Sequence, residues 1–512
     1  MKKTASILIG SLLTVGSLYA AKKPNIVFIF SDDHAVQSIG AYGSSINKTP
    51  NLDRIAKTGG VFLNSFCGNS ICGPSRATVL TGKHSHKNGF LGNFSRSFDG
   101  NQFTFPKALQ KVGYQTAMIG KWHLKSNPTG FDYWEILPGQ GSYYNPRFIK
   151  EDGKKDYIGY CTTVTTDLAL EWLDRRDTSK PFLLMCQHKA PHRTWAPDIK
   201  HLNNYAEVDI PEPPTLFDAY EDRSASLAKN AMSIDKHFYY NYDLKVRETV
   251  PFASQRETRL KASEFPRMTP EQKKAWDAAF GPRNKAFLEN PPTGKDLVRW
   301  KYQRYIKNYL RCIDSIDENV GRVIDYLEAN GLRENTLLIY SSDQGFYLGE
   351  HGWYDKRWMF EESLKMPLLV SWPGHIEPGT RFEQLVQNID YAPTFLDVAG
   401  ASVPEDVQGR SLLSLFKTNE SAWRDAIYYH YYEHGGEHQV PRHEGVRDAR
   451  YKLINFYSND GFNLFDLKSD PHEMKSVHDH PEYASVMTRM KERLEQLREH
   501  YDLPPRKSGN KK

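Results

Sequence analysis

Four short apolar runs in the first two thirds of the chain each end in polar residues. The runs are 25–30, 116–119, 182–186 and 336–340. Continuous apolar runs of this length are typical of strands that are covered on both faces, as in a parallel sheet. Apolar positions at helical spacing predict helices at 105–112, 168–173 and 309–327. The alternation of strands and helices predicts an α/β fold with a large, mostly parallel sheet flanked by helices.

The pattern changes after about residue 400. Strands are predicted at 427–431, 451–456 and 462–465, and a closing helix at 484–497. Short strands without helices between them favour an antiparallel sheet. We therefore predict a larger domain at 22–400, a smaller C-terminal subdomain at 401–505 and a disordered tail at 506–512. The segment 200–300 predicts little beyond a helix start with a capping box at Thr269.

Polar side chains that could bind a ligand follow each of the four apolar runs. In chain order they are Asp32 and Asp33, Lys121 and His123, His188 and His192, and Asp343 and Gln344. Ligand sites in open α/β sheets lie at the carboxyl ends of the strands, so these side chains are predicted to meet at one edge. Carboxylate and amide oxygens suit a hard cation, calcium more than zinc. A histidine-rich pair, as a two-zinc phosphatase site would need, does not accompany them.

The stretch from Cys72 to Gly82 carries the most specific chemistry. Pro74 suits the first turn of a helix, which puts Cys72 at or just before a helix N-terminus, where an anionic group is favoured. Arg76, one turn on, points back to the same end. A lone cysteine is most often a small buried hydrophobe, so the wider pattern has to decide.

The pattern Cys-x-Pro-Ser-Arg followed by Leu-Thr-Gly resembles the signature of the sulfatase family within the alkaline-phosphatase superfamily. The resemblance extends to Asp32-Asp33, to Gly-Lys-Trp-His at 120–123, to the Ala-Pro-His around His192, and to Gly-Glu-His-Gly at 349–352 with Lys356 downstream. It implies an alkaline-phosphatase-like fold and a formylglycine made from Cys72 by a maturation enzyme. It also implies a calcium ion held by Asp32, Asp33, residue 72, Asp343 and Gln344. Many family members have Asp-Asn at the last pair, so Gln344 is a departure that adds one methylene.

The same resemblance implies roles for the side chains around the nucleophile. Arg76 and Lys121 would hold the formylglycine hydrate, and His123 would assist the release of sulfate. Lys356 and His192 would contact the sulfate ester, with His192 as proton donor to the departing sugar oxygen. Asp343 is a candidate base for the attacking hydroxyl.

Finer similarity narrows the substrate. The stretches 294–300, 343–372 and 428–447 are similar to bacterial N-acetylglucosamine-6-sulfatases, which implies an exo-acting enzyme on mucin or glycosaminoglycan fragments. Candidate sugar contacts are His188, His351, Arg442 and His443. Three alternatives stay open. They are a sulfatase for another position or polysaccharide, such as iduronate 2-O-sulfate or algal glycans, a phosphonate or phosphate ester hydrolase of the same superfamily, and a non-catalytic carbohydrate-binding protein.

The N-terminus and the overall charge bear on location and partners. Residues 1–20 combine two lysines, an apolar centre and a small residue, Ala20, which predicts a secretory signal peptide and a periplasmic or secreted bacterial protein. Their apolar run is shorter than the roughly 20 residues of a membrane span, so we expect no stable membrane insertion. A formal net charge of +5 is too small to indicate nucleic acid as a partner. Five cysteines leave one unpaired in an exported protein, and their spacing assigns no disulfide.

Overall fold

The computed structural model describes residues 22–259, 264–417, 423–457 and 461–506. The predicted leader at 1–20 and residues 507–512 of the predicted tail lie outside these ranges. The strands are β1 (Asn25–Ser31), β2 (Gly60–Phe62), β3 (Ser65–Phe66), β4 (Gln115–Lys121), β5 (Tyr133–Leu137), β6 (Arg147–Lys150), β7 (Gly153–Asp156), β8 (Phe182–Gln187), β9 (Thr336–Ser342), β10 (Leu368–Ser371), β11 (Thr380–Phe382), β12 (Val386–Gln387), β13 (Ala426–Tyr431), β14 (His443–Asp448), β15 (Tyr451–Phe456) and β16 (Gly461–Asp466). The helices are α1 (Pro50–Lys57), α2 (Cys72–Thr81), α3 (Ser85–Asn88), α4 (Phe105–Lys111), α5 (Cys161–Arg175), α6 (Ser226–Lys229), α7 (Ile234–His237), α8 (Gln255–Thr258), α9 (Pro270–Glu289), α10 (Gly294–Ala329), α11 (Glu361–Leu364), α12 (Tyr391–Ala399), α13 (Leu413–Lys417) and α14 (Ala484–His500).

A ten-stranded sheet forms the centre of the molecule, in the order β11-β2-β10-β9-β1-β8-β4-β5-β6-β7. Its middle strands, β9, β1, β8, β4 and β5, are parallel, as the apolar runs predict. Antiparallel pairings of β10, β6 and β7 at the margins make the whole sheet mixed. The predicted α/β class is confirmed. The polar residues that the sequence places at strand ends all lie on the parallel strands.

Helices flank this sheet and account for the apolar periodicity of the sequence. The 36-residue helix α10 packs against α1 and α5. Phe28 of β1 contacts Tyr391 and Phe395 of α12, with ring centroids 5.9 and 5.4 Å apart. Helix α9 begins with the predicted capping box, in which Thr269 and Gln272 each accept from the other's backbone N–H. None of the helices in the described ranges has the length and apolarity that crossing a bilayer requires.

The C-terminal sheet is antiparallel, in the order β13-β14-β15-β16, and α14 packs on it. Strand β14 is an addition to the three strands that the sequence predicts. The apolar face of α14, with Met490 and Leu494, meets residues such as Tyr428 and Leu453 of the sheet. Strand β13 also touches the larger domain, because His430 N donates to Gly68 O at 3.0 Å. This contact brings the C-terminal sheet close to the start of α2.

Candidate active site

Two pairs of metal-binding candidates lie side by side because their strands are neighbours. Ser31 of β1 is in register with Ser342 of β9, so Asp32-Asp33 and Asp343-Gln344 leave the sheet together. The backbone N–H of Asp33 donates to Asp343 Oδ1 at 3.1 Å. The prediction that these carboxyl ends converge is thus met in the structure.

Each of the three carboxylates at this edge is paired with one cation. The pairs are Lys121 with Asp32, Lys356 with Asp33, and Arg76 with Asp343. Lys356 Nζ lies 2.7 and 2.8 Å from the two Asp33 oxygens, and Arg76 Nη2 lies 2.9 Å from Asp343 Oδ2. All six side chains are buried, so the pairing compensates charges that would otherwise be costly to remove from water.

The oxygen atoms at this edge fit a hard cation. One oxygen each of Asp32, Asp33 and Asp343 lies within 4.8 Å of the others. Among the described residues, Asp32 Oδ1 and Gln344 Oε1 are buried without a hydrogen-bond partner, and Asp32 Oδ2 contacts only the Lys121 ammonium. Burial raises the pKa of Asp33 to about 7, and the Asp343 carboxylate adds to that rise, whereas the Lys356 ammonium opposes it. A further positive charge would relieve this crowding of carboxylates, and an all-oxygen donor set suits calcium.

Cys72 is the first residue of α2 and points into the same edge. Its Sγ lies within 4.8 Å of an Asp32 oxygen and a His192 ring nitrogen, and the side chain is buried. Burial raises the pKa of the Cys72 thiol to about 12. Since the thiolate is the nucleophilic form, an unmodified thiol here is inert at neutral pH.

Arg76 and Lys121 brace the floor of the site beneath Cys72. Besides Asp343, Arg76 donates from Nη1 to Lys121 O at 2.8 Å and to Gln187 Oε1 at 2.6 Å. Gln187, which the sequence did not single out, thereby joins the end of β8 to α2. Gly120 has φ +105°, and a Cβ there would overlap Gln187 O, which explains the glycine of the Gly-Lys-Trp-His motif.

The histidines behind β4 and β8 are neutral for physical reasons. His192 Nδ1 lies 2.6 Å from Arg193 O and so carries the proton, which leaves Nε2 facing the site 3.7 Å from Asp33 Oδ2. Burial and the nearby Lys121 lower the pKa of His192. Burial, then Lys121, lowers the pKa of His123 as well. His188 is fully buried behind β8, and desolvation lowers its pKa to about 4.

Three of the predicted sugar contacts lie away from these groups. His351 is fully buried, and its Nδ1 lies 2.8 Å from Asp218 Oδ2. His443 is fully buried and stacks on Trp358 and Tyr429, with both centroid distances 5.6 Å. Arg442 donates to a backbone carbonyl of its own hairpin. Their sugar-binding roles stay predictions, and for the two histidines contact would require surrounding side chains to move.

A set of charged residues that the sequence did not single out lies beside Lys356. We call Asp355, Arg357, Glu433 and His438 the rim. Arg357 donates to Asp355 Oδ1 at 2.9 Å and to Glu433 Oε2 at 3.2 Å, and His438 Nε2 lies 3.4 Å from Asp355 Oδ2. Asp355 and Arg357 have φ of +77° and +91°. Backbone strain of this kind persists where surrounding contacts hold it, and it clusters at functional sites.

The rim is connected to the start of α2 by Asn93. Gly73 N donates to Asn93 Oδ1 at 3.1 Å, and Asn93 N donates to Glu433 Oε1 at 2.6 Å. Glu433 and His438 belong to the connection between β13 and β14. One hydrogen-bonded arc therefore runs from the neighbour of Cys72 to the neighbours of Lys356. The only sequence signal for it was the position of Asp355 and Arg357 on either side of Lys356.

A cleft of about 730 Å³ opens beside His192. Its wall includes Gln140, Lys189, Arg193, Glu264 and Arg267. Lys121 also donates to Gln140, which joins the cleft to the floor of the site. A cavity of this size accommodates a small ligand such as a sugar.

Comparison with known proteins places this geometry in a family. The sulfatase family model matches residues 24–401, and the model of the N-sulphoglucosamine sulphohydrolase C-terminal region matches residues 349–500. The chain is 45% identical over 488 residues to the N-acetylglucosamine-6-O-sulfatase of Bacteroides thetaiotaomicron, covering 94% of this chain and 87% of that one.

Solved structures agree with the sequence relatives. BT4656, in complex with its substrate D-glucosamine-2-N,6-O-disulfate, is 43% identical, with a TM-score of 0.90 over 96% of this chain and 100% of that one. The phosphonate monoester hydrolase of Agrobacterium radiobacter shares the fold at 20% identity, with a TM-score of 0.66 over 93% of this chain and 96% of that one. The family model covers residues 24–401, and the chain shares 45% identity with a named sulfatase. The chain therefore belongs to the sulfatase family and is a sulfuric ester hydrolase.

Proposed function

We propose that this enzyme hydrolyses the 6-O-sulfate ester of glucosamine-type sugars in glycans. One observation carries the proposal: Cys72 Sγ, an Asp32 oxygen and a His192 nitrogen lie within 4.8 Å of one another. The proposed nucleophile, a cation ligand and a proton donor thus lie next to one another. The choice of sugar is supported by 45% identity to an N-acetylglucosamine-6-O-sulfatase and by 43% identity to BT4656, whose substrate carries a 6-O-sulfate.

Two groups that the family implies would complete the site. Calcium would be held by Asp32, Asp33, Asp343, the Gln344 amide oxygen and residue 72, and the buried, unpartnered Asp32 Oδ1 and Gln344 Oε1 support this assignment. Formylglycine would replace Cys72, and the position of Cys72 beside Asp32 and His192 at the start of α2 supports this. When bound, the cation supplies positive charge to the sulfate oxygens, and the formylglycine hydrate supplies the attacking oxygen.

Cationic side chains of the protein would bind the negatively charged sulfate ester. Lys356 reaches the site beside Asp33, and His192 Nε2 faces the same carboxylate from the other side. A sulfate ester that enters between them is held by the Lys356 ammonium. Arg76 is fixed by Asp343, Lys121 O and Gln187, so its charge is positioned under residue 72 before the substrate arrives.

His192 is the proton donor in this proposal. Its Nδ1–H is committed to Arg193 O, so the proton that it donates has to be a second one, taken up on Nε2, which faces the site. Nearby lysines and burial hold the pKa of His192 low, and the negative charge of a bound ester offsets the lysines and favours the imidazolium. As the S–O bond breaks, the sugar oxygen takes the Nε2 proton and leaves as an alcohol.

The rim would bind the sugar. Its carboxylates, guanidinium and imidazole offer hydrogen bonds to hydroxyl groups, and they lie directly beside Lys356. The proposal includes exo action on a terminal sugar, which the similarity to N-acetylglucosamine-6-O-sulfatases supports. We further propose export through the leader at 1–20 and maturation by a formylglycine-forming enzyme.

Sulfate release from defined sugars tests the proposal. The protein is produced together with a formylglycine-forming enzyme, and mass spectrometry of the peptide that contains residue 72 verifies the aldehyde. We expect release from N-acetylglucosamine 6-sulfate, and little from its 3-sulfate isomer or from iduronate 2-sulfate. Faster hydrolysis of the matching phosphate ester would favour the phosphate or phosphonate alternative, and aldehyde-bearing protein that releases no sulfate would refute the proposal.

A further inference from the structure

Lys189 lies on the wall of the cleft, three residues before His192, and forms no ion pair with the described residues. Burial lowers its pKa, and the Glu264 carboxylate of the same wall opposes that effect from a distance. The residue is 3% exposed, and its Nζ lies 4.7 Å from the centroid of the Tyr143 ring. Among the described residues, no carboxylate oxygen lies within 4.0 Å of this ammonium, and no acceptor forms a hydrogen bond with it. Lysine is almost never buried without a partner, because desolvating an ammonium is costly.

The other cations of the cleft wall are already engaged. Arg193 donates to both oxygens of Asp243, each at 2.7 Å. Arg247 pairs with Asp277, and Arg267 donates to the backbone carbonyls of Tyr144 and Asn145. Lys189 therefore differs from its neighbours in having a buried charge that is available to a ligand.

The charge of Lys189 also acts at the reaction centre. Lys189 and His192 belong to one turn, in which His192 N donates to Lys189 O at 3.1 Å, and both side chains line the same cleft. After burial and closer groups, the Lys189 charge also helps to lower the pKa of His192 and of Lys121. The cleft into which it opens is where the sugar would lie once the sulfate ester is bound between Lys356 and His192. An anion on the sugar, close to the reacting ester, is the group that this position would attract.

We propose that Lys189 binds a second anionic group of the substrate, and so favours doubly charged sugars over singly charged ones. The inference rests on the proposed function and deepens it, since it assigns the substrate to the polyanionic, glycosaminoglycan type. The shared chemistry is an anionic oxygen group with two possible sources. It is either a sulfate on the amine of the same sugar, as in the substrate of BT4656, or the carboxylate of a neighbouring uronic acid.

Lys189→Met tests this proposal, because it removes the charge and keeps a flexible chain of similar length. Three substrates are compared: glucosamine 2-N,6-O-disulfate, N-acetylglucosamine 6-sulfate, and N-acetylglucosamine 6-sulfate linked to a uronic acid. A charge-assisted hydrogen bond corresponds to about ten- to hundredfold in kcat/KM. We expect Lys189→Met to lower the preference for the disulfate, or for the uronic acid conjugate, over the plain 6-sulfate by about tenfold or more. The substrate that shows the drop identifies the source of the anion.

Two companion variants separate charge from structure. Lys189→Arg should restore most of the preference, because it keeps a cation at the position. Lys180→Met, an exposed lysine paired with Asp177, should leave the preference unchanged. Lys189→Gln serves as a second neutral variant if the methionine protein does not fold.

Two results would overturn the proposal. An equal loss on all three substrates would mean that Lys189 holds the sulfate that is removed, and unchanged kinetics would mean that its role is structural. Binding of the disulfate to the Cys72→Ala protein, measured by calorimetry, gives a readout that does not depend on turnover. There, Lys189→Met should weaken binding about tenfold, and equal affinity with and without Lys189 would refute the assignment even if the proposed reaction itself proved wrong.

Discussion

The edge of the sheet that holds the proposed reaction centre and the rim contain the same kinds of side chains but are built differently. At the edge, Asp32 and Asp343 directly follow parallel strands and Lys121 is the last residue of another, so the backbone ladder fixes their positions. In the rim, Glu433 and His438 come from a hairpin of the C-terminal sheet, and side-chain bonds alone connect them to Asp355 and Arg357. The difference indicates that the sheet determines the reaction, whereas the hairpin can vary with the substrate.

Removing the side chain of residue 72, the proposed nucleophile, is the strongest test of the edge. Cys72→Ala should lower turnover of every sulfate ester by at least about 10⁴-fold, since no other group can take the place of residue 72. Loss of one buried sulfur should cost only about 1 kcal/mol of stability. Sulfate release and thermal unfolding measure the two effects.

Cys67→Ala is the matched control for that variant. Cys67 is another fully buried cysteine, five residues upstream, whose Sγ contacts Leu364 O at 3.4 Å. It should keep near-native turnover. Full activity of Cys72→Ala would contradict the assignment of the edge as the site of reaction.

The edge could be predicted from the sequence, whereas the rim could not. Strand ends at Asp32, Lys121 and Asp343 could be predicted, because buried parallel strands have a simple apolar pattern and their carboxyl ends must meet. Strand β14 and the contacts of Glu433 could not, since they depend on how one sheet docks on another. His443 illustrates what the sequence does not predict. The sequence made it a candidate sugar contact, whereas in the fold it is buried among aromatic rings.

Chelation tests the cation at the edge. Removal of calcium with EGTA should lower kcat by about 100-fold or more, because three carboxylates would then oppose the negative ester. Calcium should restore activity better than magnesium, which demands a tighter octahedral site. Gln344→Ala should raise the calcium concentration needed for half-maximal activity, and activity that resists exhaustive chelation would rule the cation out.

His192→Gln distinguishes acid catalysis from binding at the edge. With a sugar sulfate, whose alcohol is a poor leaving group, we expect kcat to fall by about 10²–10⁴-fold. With an aryl sulfate, whose phenolate leaves without a proton, the loss should be less than about tenfold. Equal losses on both esters would show that His192 binds the sulfate and does not donate a proton.

His438→Gln tests whether the rim binds the sugar and leaves the reaction itself unaffected. Loss of the imidazole beside Asp355 should raise KM for N-acetylglucosamine 6-sulfate by about tenfold, because a buried carboxylate loses its partner and the sugar loses a contact. An aryl sulfate, which has no sugar to bind, should be hydrolysed at nearly the native rate. His434→Gln, at an exposed position of the same hairpin, is the control. If both esters suffer equally, the rim belongs to the reaction and the division between the two regions fails.

The smallest expected effect concerns stability where the C-terminal sheet meets the larger domain. Lys452 of β15 lies 2.8 Å from both Glu361 and Glu473, and Glu473 also accepts from Glu361 N at 2.7 Å. Burial raises the pKa of Glu473 to about 7, against the nearby lysine, which lowers it. Between pH 7 and pH 4.5, Glu473 is protonated in the folded protein but ionised in the unfolded chain, whose pKa is the ordinary 4.5. Folding therefore takes up a proton in this range, and the free energy of unfolding rises as the pH falls from 8 toward 5. Glu473→Gln should remove that contribution and shrink the difference in Tm between pH 5.5 and pH 8 by a few degrees, whereas Glu492→Gln, at an exposed position, should not. Because Glu473 lies outside the edge and the rim, kcat should stay near the native value, and a large loss of activity would show that this interface takes part in the reaction after all.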